Sequence, residues 1–229
     1  MNIPESIREM LNSNNPDQRA VGVRSLGKQK DPQAVLEISR MLGDSHWLVR
    51  RIAVETLGDL KDPCCFPSLV TAAGDENWKV RQGAAFALGY TGESKAKETL
   101  AKLLEDEHWQ VRSAAVAGIG EFRDEHSRQI LIKMTEDPNW NVATQAIRIL
   151  GKTGCQESIN PLKKMLNQAD RQQKVHLRHA IKQIEKRCQS QGMDSDNTDK
   201  AKSNNSRKIG KSLSFRGCRG CGGDSVEQT

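Results

Sequence analysis

The sequence repeats itself with a period of 31 residues, and this period constrains the fold more than any other feature. Five glycines recur at that spacing without slippage: Gly27, Gly58, Gly89, Gly120 and Gly151. Other residue types recur in the same register, as at Trp47, Val49, Ala53 and Leu57. Because a segment of this length cannot bury its apolar face alone, consecutive repeats must stack to form a core.

Each repeat carries two short segments of helical periodicity. In the segment that we name helix B, an aspartate such as Asp44 stands three residues before the tryptophan. This predicts an N-capped helix, closed at its end by the repeat glycine in a left-handed conformation. The other segment, helix A, has its own predicted caps at Asp31, Asp62, Asp124 and, less well, Glu93.

The repeats predict an all-α chain with three parts. Six two-helix repeats are expected over residues 1–188, with an atypical first repeat and a slipped last one. Residues 189–211 are nearly devoid of apolar side chains, which predicts a disordered linker. Residues 212–229 form a separate tail motif that contains Cys, Gly and Arg.

The repeat pattern resembles a known family. The residues Asp-x-x-Trp-x-Val-Arg-x-x-Ala-x-x-x-Leu-Gly at 44–58 resemble the short HEAT-like repeats of phycobilisome lyases. This resemblance implies an armadillo-like right-handed α-solenoid with helix B on its concave face. Because the tryptophan recurs in every repeat, we expect it to pack in the seam between repeats. It also implies a ladder of Asp–Arg pairs through Arg50, Arg81 and Arg112, beginning at Arg19 and ending at Ala143.

The resemblance does not by itself supply a reaction, because this fold serves both enzymes and scaffolds. Deoxyhypusine hydroxylases with such repeats bind iron through His-Glu dipeptides, and this chain has none. Phosphate-binding loops, dinucleotide fingerprints and nucleophile elbows are also missing from the sequence. We therefore predict a non-enzymatic scaffold without a cofactor, with a bilin-lyase-like chaperone or lyase for a tetrapyrrole as the alternative.

Positions on helix B that vary between repeats are the candidate contacts for a protein partner. The predicted partner-binding residues are Arg51, Lys79, Gln82, Phe86, Tyr90 and Arg148. Phe86 and Tyr90 lie four residues apart and share a helix face, and such aromatic pairs are frequent binding hot spots. The competing interpretation, equally weighted, is that Phe86 only fills a gap between helices.

The positive charge of the chain is concentrated near the end of the repeats. Eight basic and two acidic side chains lie between residues 163 and 187. The basic end is represented by Lys174, Arg178 and Lys182. It is a candidate binding site for a nucleic acid or for an acidic surface of another molecule, which gives a second alternative function. A solvated end cap is the simpler interpretation.

The remaining features concern the cell compartment and the tail. No run of apolar residues is long enough to span a membrane, and residues 1–10 lack a signal-peptide core, so we expect a cytoplasmic, monomeric protein with free thiols. Cys218 and Cys221 form a CxxC pair, but a structural zinc site needs about four ligands. These two thiols are thus weak metal candidates, and a redox, docking or modification motif remains open.

Overall fold

The computed structural model describes residues 3–29 and 31–205. Within these ranges the chain forms α-helices and short 3-10 turns, and no β-strand. The helices are α1 (Glu5–Leu11), α2 (Pro16–Gly27), α3 (Pro32–Arg40), α4 (Trp47–Leu60), α5 (Phe66–Ala72), α6 (Trp78–Thr91), α7 (Ala96–Leu103), α8 (Trp109–Gly120), α9 (Glu125–Met134), α10 (Trp140–Thr153), α11 (Ile159–Gln168) and α12 (Arg171–Asn205). They pair in sequence order into six repeats, which confirms the predicted all-α repeat fold of the solenoid class.

The chain divides into two compact units. Among the described residues, the first comprises those up to 122 and 133–146, and the second comprises 123–132 and 147–205. In the first unit, α2 packs against α4, α4 against α6, and α6 against α8. Its core contains the repeat residues Val49, Val80 and Val111, which are fully buried. In the second unit, α11 packs on α12, and Leu162, Leu177 and Ile184 are buried.

The helix caps differ in part from the prediction. Asp31, Asp62 and Asp124 accept backbone N–H groups at the starts of their helices A, as expected. Three helices B, however, are capped by the side chain two residues after the repeat aspartate, which is His46, Asn77 or Asn139. Asn15 caps α2 in the same way two residues after Ser13, and the side chain of His108 makes no cap hydrogen bond at α8. The repeat aspartate accepts the N–H of that capping residue, and its remaining acceptor capacity serves the ladder described below.

The predicted role of the repeat glycines as left-handed helix ends is wrong. The described residues with positive φ are Lys61, Gly92 and Arg123, and Gly58 and Gly89 lie inside helices α4 and α6. A Cβ on Gly58 would lie 2.8 Å from the Cβ of Ala87 on the next helix B. The glycines recur because neighbouring helices B approach too closely for a side chain at this position.

The last helix continues beyond residue 188 as far as Asn205, through the first part of the predicted disordered linker. This stretch contains no proline, the residue that most strongly breaks a helix. The predicted boundaries at 188 and 211 stay predictions. The tail motif with Cys218 and Cys221 lies outside the described residues. None of the described helices is both long and apolar enough to cross a membrane.

Candidate partner-binding groove

A ladder of arginine–aspartate pairs joins consecutive repeats in the first compact unit and so sets the positions of the helices B. Each guanidinium binds the aspartate carboxylate 25 residues later with two hydrogen bonds, as expected from the resemblance. In the pair Arg50–Asp75 the Nε–Oδ2 distance is 2.7 Å and the Nη2–Oδ1 distance is 2.9 Å. The other pairs are Arg19–Asp44, Arg81–Asp106 and Arg112–Asp137.

The same arginines also order their own loops. Nη1 of Arg50 donates to the backbone carbonyls of Asp44 and Ser45, at 2.9 and 3.3 Å. Arg81 and Arg112 repeat this arrangement in the next two loops. Each guanidinium thus connects one inter-helix loop to the next, and the start of each helix B is held on both sides.

The ladder perturbs the acid–base chemistry of its members. Burial raises the pKa of the Asp44 carboxyl, but hydrogen bonds from Arg19 and from the N–H of His46, with the charge of Arg19, lower it more. The net pKa of Asp44 therefore lies below its ordinary value, and the pKa of Asp106 is lowered in the same way beside Arg81. The hydrogen bond to Asp75 raises the pKa of Arg50 above its already high value. The Arg19–Asp44 and Arg81–Asp106 pairs are thus charged at neutral pH.

An open groove of about 360 Å³ lies between α4 and α6, and we name it the α4–α6 groove. One side carries side chains from α4 at spacing four, and the other side carries side chains from α6 at the same spacing. Small residues line the bottom, where Gly58 meets Ala87. The lining residues are Arg51, Glu55, Gly58, Asp59, Lys61, Gln82, Gly83, Phe86, Ala87 and Tyr90.

The two aromatic rings of the groove face solvent. Phe86 is 41% exposed and Tyr90 is 63% exposed, while their helix neighbour Leu88 is fully buried on the opposite face. Phe86 therefore does not simply fill a gap between helices, and both rings are accessible to a partner.

The charged side chains of the groove fall into a paired and an unpaired set. Arg51 donates from Nε to Oε1 of Glu55 at 2.8 Å, one helical turn away. Within the described residues, the Asp59 carboxylate and the Lys61 ammonium have no ion-pair partner. These two charges stand at the end of α4 and line the same groove as Tyr90.

The structure brings together four of the six predicted partner-binding residues. Arg51, Gln82, Phe86 and Tyr90 line one groove. Lys79 lies at the start of α6 and does not line the groove. Its Nζ is 4.1 Å from the ring centroid of Trp47. Arg148 belongs to the second compact unit. Their assignment to partner binding stays a prediction.

Sequence reasoning did not select Lys61 and Gly83, which also line the groove. A signal for Gly83 existed, because the equivalent repeat positions carry Ile52 and Ala114. Loss of the side chain at this position opens the groove beside Phe86. Lys61 gave no such signal, because its position depends on the left-handed turn that ends α4.

The tryptophans lie in the seam between repeats, at its surface. Trp47 is covered by Lys79 of the following repeat, and Trp78 stacks on His108 with ring centroids 5.6 Å apart. Trp109 is 37% exposed. These contacts connect consecutive repeats, as the packing interpretation expected, but the rings are not buried plugs.

The basic end lies on α12 in the second compact unit. Lys174, Arg178 and Lys182 follow one another at spacing four and so share a face, with Arg178 and Lys182 exposed. Leu177 and Ile181 are buried on the other side of the helix. This arrangement is that of an ordinary amphipathic end helix with a solvated basic face.

Few side chains that could bind a metal ion lie close together in the described residues. One group of three ligand-type side chains, Glu125, Cys155 and Glu157, has its ligand atoms within 4.8 Å of one another. Both carboxylates are exposed, and the group falls short of the four ligands of a structural zinc site.

Comparison with known proteins agrees with this architecture. A family model described as HEAT repeats matches residues 4–70, 66–137 and 102–182. No curated protein matches the chain in sequence.

Solved structures with a similar fold include an engineered protein, at TM-score 0.54 and 17% identity, with 81% of this chain and 98% of that chain covered. The YIBA protein of E. coli aligns at TM-score 0.55 and 22% identity, with 79% and 80% covered. The complex of CpcE and CpcF of phycocyanin lyase from Nostoc sp. PCC7120 aligns at TM-score 0.44 and 18% identity, with 80% and 95% covered. At these identities the first two likenesses show the fold alone.

Proposed function

We propose that this chain, which belongs to the HEAT-repeat family, acts as a non-catalytic scaffold that binds a segment of a partner protein in the α4–α6 groove. The repeat-scaffold fold is consistent with an interaction role, and the identity of the binding surface is our inference. The observation that carries the proposal is the exposed pair Phe86 and Tyr90, held in an open groove on one helix face.

Exposed aromatic rings in a groove are suited to binding for a physical reason. Burying such a ring removes a large apolar area from water, and few rotatable bonds must be ordered. A handful of residues of this type commonly contributes most of the affinity at protein interfaces. Gln82, one turn before Phe86, can donate to and accept from a peptide backbone.

The groove is also preorganised. The ladder pair Arg50–Asp75 holds the starts of α4 and α6, and the close contact of Gly58 with Ala87 holds the two helices together. A partner therefore does not have to order the groove, which lowers the entropic cost of binding.

The lining residues favour binding over catalysis. The groove contains no thiol and no imidazole, and its one hydroxyl is the Tyr90 phenol. A nucleophile paired with a general base, the usual arrangement for covalent catalysis, is therefore missing from the groove. The lyase-type alternative finds no chemical support among these residues.

The proposal is tested by capture from a native lysate followed by binding measurements with the purified partner. The baits are the full chain, the chain ending at residue 205, and Phe86→Ala/Tyr90→Ala. A matched control is Leu36→Ala/Val70→Ala, which removes exposed apolar side chains from two helices A. We expect the purified partner to bind all baits except the Phe86/Tyr90 variant, whose affinity falls about 100-fold or more.

Two other results would favour the rivals. Binding of nucleic acid that weakens steeply with salt, and is abolished by Lys174→Glu/Arg178→Glu/Lys182→Glu, would favour the basic end. A bound open-chain tetrapyrrole after co-expression with its biosynthetic enzymes would favour the lyase-like function. A purified partner that binds the Phe86→Ala/Tyr90→Ala variant as tightly as the native chain contradicts the groove proposal.

A further inference from the structure

The second compact unit carries an excess of positive charge. Residues 123–132 and 147–205 contain 14 lysines and arginines against 8 aspartates and glutamates. The exposed basic side chains of α12 follow one another at intervals of seven, four and four residues, so they lie on one face of the helix. This face, which we name the α12 basic face, consists of Arg171, Arg178, Lys182 and Lys186. It is about 22 Å long, because a helix rises about 1.5 Å per residue.

Few acidic side chains oppose the α12 basic face. Between residues 171 and 190 the one acidic residue is Glu185, and its carboxylate binds the ammonium of Lys163 on α11 at 3.0 Å. Asp170 lies just before the helix, where its carboxylate accepts the N–H of Gln173. Within the described residues, the four cations of the α12 basic face form no ion pair. Farther along α12, three aspartates and two lysines nearly cancel one another, so the unbalanced charge is confined to the first half of the helix.

A groove between the end of α10 and α12 extends the positive surface. Its volume is about 560 Å³, and its lining residues are Gly151, Lys152, Gln183, Lys186, Arg187 and Ser190, with no acidic side chain among them. The guanidinium of Arg187 donates to the backbone carbonyls of Gly151 and Lys152, at 3.2 and 2.7 Å, and so balances the negative end of α10. The side chains of Lys152 and Lys186 are exposed and form no ion pair in the part of the chain that the structure describes.

The packing of α12 argues against a membrane as the partner of this surface. Leu177, Ile181 and Ile184 are buried in the second compact unit. A helix that binds a membrane surface places such apolar side chains into the lipid. Because α12 has already buried them, it offers a lipid surface little more than a charged face.

An acidic protein segment also fits this surface poorly. Protein interfaces depend on apolar or aromatic residues at their centre. The α12 basic face has one exposed apolar neighbour, Val175, and residues 171–190 contain no Phe, Tyr or Trp. A nucleic acid duplex requires no such anchor, since its affinity comes from phosphates that exchange condensed counterions for lysine and arginine. The missing aromatic rings also disfavour single strands, whose bases stack on such rings.

We propose that the second compact unit binds double-stranded nucleic acid through its phosphate backbone, with the α12 basic face and Lys152 as the contacts. A duplex carries one negative charge per about 1.7 Å of its axis, so about 13 phosphates lie along a face of about 22 Å. Contacts of this kind position a protein without reading the base sequence. The α4–α6 groove belongs to the first compact unit, so the proposal rests on different residues and adds a second ligand to the protein partner.

The probe is a fluorescein-labelled DNA duplex of mixed sequence, about 20 base pairs long so that it covers the face, measured by anisotropy against the full chain. We expect the logarithm of the binding constant to fall linearly with the logarithm of the salt concentration, with a slope of about −4 to −5 for five cation–phosphate contacts. A single strand of the same sequence should bind at least about fivefold more weakly. Polyglutamate is the control polyanion, and at equal charge it should compete at least about tenfold less effectively than unlabelled duplex.

Substitutions on the two helices test the contacts directly. Arg178→Gln/Lys182→Gln/Lys186→Gln should weaken duplex binding at least about tenfold and make the salt slope shallower by about three. Lys152→Gln should make the salt slope shallower by about one. All four residues are exposed, and circular dichroism checks that the substitutions leave the helices intact.

A matched control removes the same charge from the first compact unit. Arg24→Gln/Lys28→Gln/Lys95→Gln replaces three exposed basic side chains there. It should change the affinity for the duplex less than about twofold, because these residues are not among the proposed phosphate contacts.

The outcomes separate duplex binding by α12 from the proposed function. Equal weakening by the control variant, an unchanged salt slope in the triple α12 variant, equal binding of the single strand, or equal competition by polyglutamate would overturn the duplex proposal and leave the groove proposal standing. Phe86→Ala/Tyr90→Ala should bind the duplex like the native chain, and the triple α12 variant should bind the protein partner like the native chain. Nuclease treatment of the lysate ensures that nucleic acid does not bridge a captured protein to α12. A purified partner whose binding does not depend on Phe86 and Tyr90 would contradict the groove proposal and leave duplex binding unaffected.

Discussion

The backbone of Gly89 lies directly against the backbone of Gly118 on the next helix B. A Cβ added to Gly89 would overlap the Cα of Gly118, so this contact leaves no room for any side chain. The equivalent residue Gly58 meets Ala87 in the same way one repeat earlier. Close approach of successive helices B is therefore what the glycine of the 31-residue period provides.

Replacing Gly89 with alanine should destabilise the chain by about 2 kcal/mol, because the helices must separate and the gain in helix propensity is smaller. Urea unfolding followed by circular dichroism measures the change. The control is Gly43→Ala, where an added Cβ meets nothing within 4 Å. Equal stabilities of the two variants would contradict the close-packing role.

Breaking one arginine–aspartate pair of the ladder should lower the free energy of unfolding. Arg50→Met leaves the Asp75 carboxylate, whose side chain is 11% exposed, without its two guanidinium hydrogen bonds. We expect a loss of about 2–3 kcal/mol in the free energy of unfolding, part of which Asp75→Asn should restore. The neighbouring Arg51→Gln breaks the exposed pair with Glu55 and should cost under about 0.5 kcal/mol. A similar loss from both variants would be evidence against the ladder.

The ladder also predicts a dependence of stability on pH. The pKa of Asp44 and that of Asp106 are lowered by folding, since hydrogen bonds from arginine and backbone N–H groups outweigh the effect of burial. A lowered carboxyl pKa adds stability that is complete above the ordinary value of 3.8 and is lost as the pH falls through the folded value.

We therefore expect the urea midpoint to be level at neutral pH and to drop below about pH 4. In Asp44→Asn/Asp106→Asn, which is less stable at neutral pH, the acid-dependent drop should be smaller. An unchanged drop in this variant would show that other carboxyls cause it.

The groove residues should matter for binding and not for folding. Phe86→Ala/Tyr90→Ala removes rings that are 41% and 63% exposed, and we expect a loss of stability under about 1 kcal/mol. Leu88→Ala removes a fully buried side chain from the same helix and should cost about 2–5 kcal/mol. Thermal unfolding of the two variants beside the native chain makes the comparison. A large loss in the first variant would mean that Phe86 packs the core.

Much of the architecture could be predicted from the sequence alone. The recurrence of Val49, Ala53 and Leu57 at 31-residue intervals gave the number of helices, their order and their buried faces, because burial requires helical periodicity. The spacing of Arg50 from Asp44, read with the family resemblance, anticipated the ladder. The spacing of Phe86 and Tyr90 placed both rings on one face.

Other features could not be read from spacing. Helix α4 is capped by His46 and not by Asp44, because the carboxylate of Asp44 binds Arg19 of the preceding repeat and the N–H of His46. Lys79 and Phe86 share α6 and both vary between repeats, yet only Phe86 lines the groove. Lys79 lies at the start of the helix, where it covers Trp47 of the preceding repeat.

The sequence by itself determined the repeat, the two helices of each repeat and the residues that they bury, because these depend on local periodicity and on apolar burial. The tertiary structure decided what the glycines do, which side chains form the groove and that Lys61 lines it together with Tyr90. The reason is physical: each of these features arises where one helix meets the next. The separation of two helices, and the side chains that it leaves exposed, depends on residues about thirty positions apart acting together.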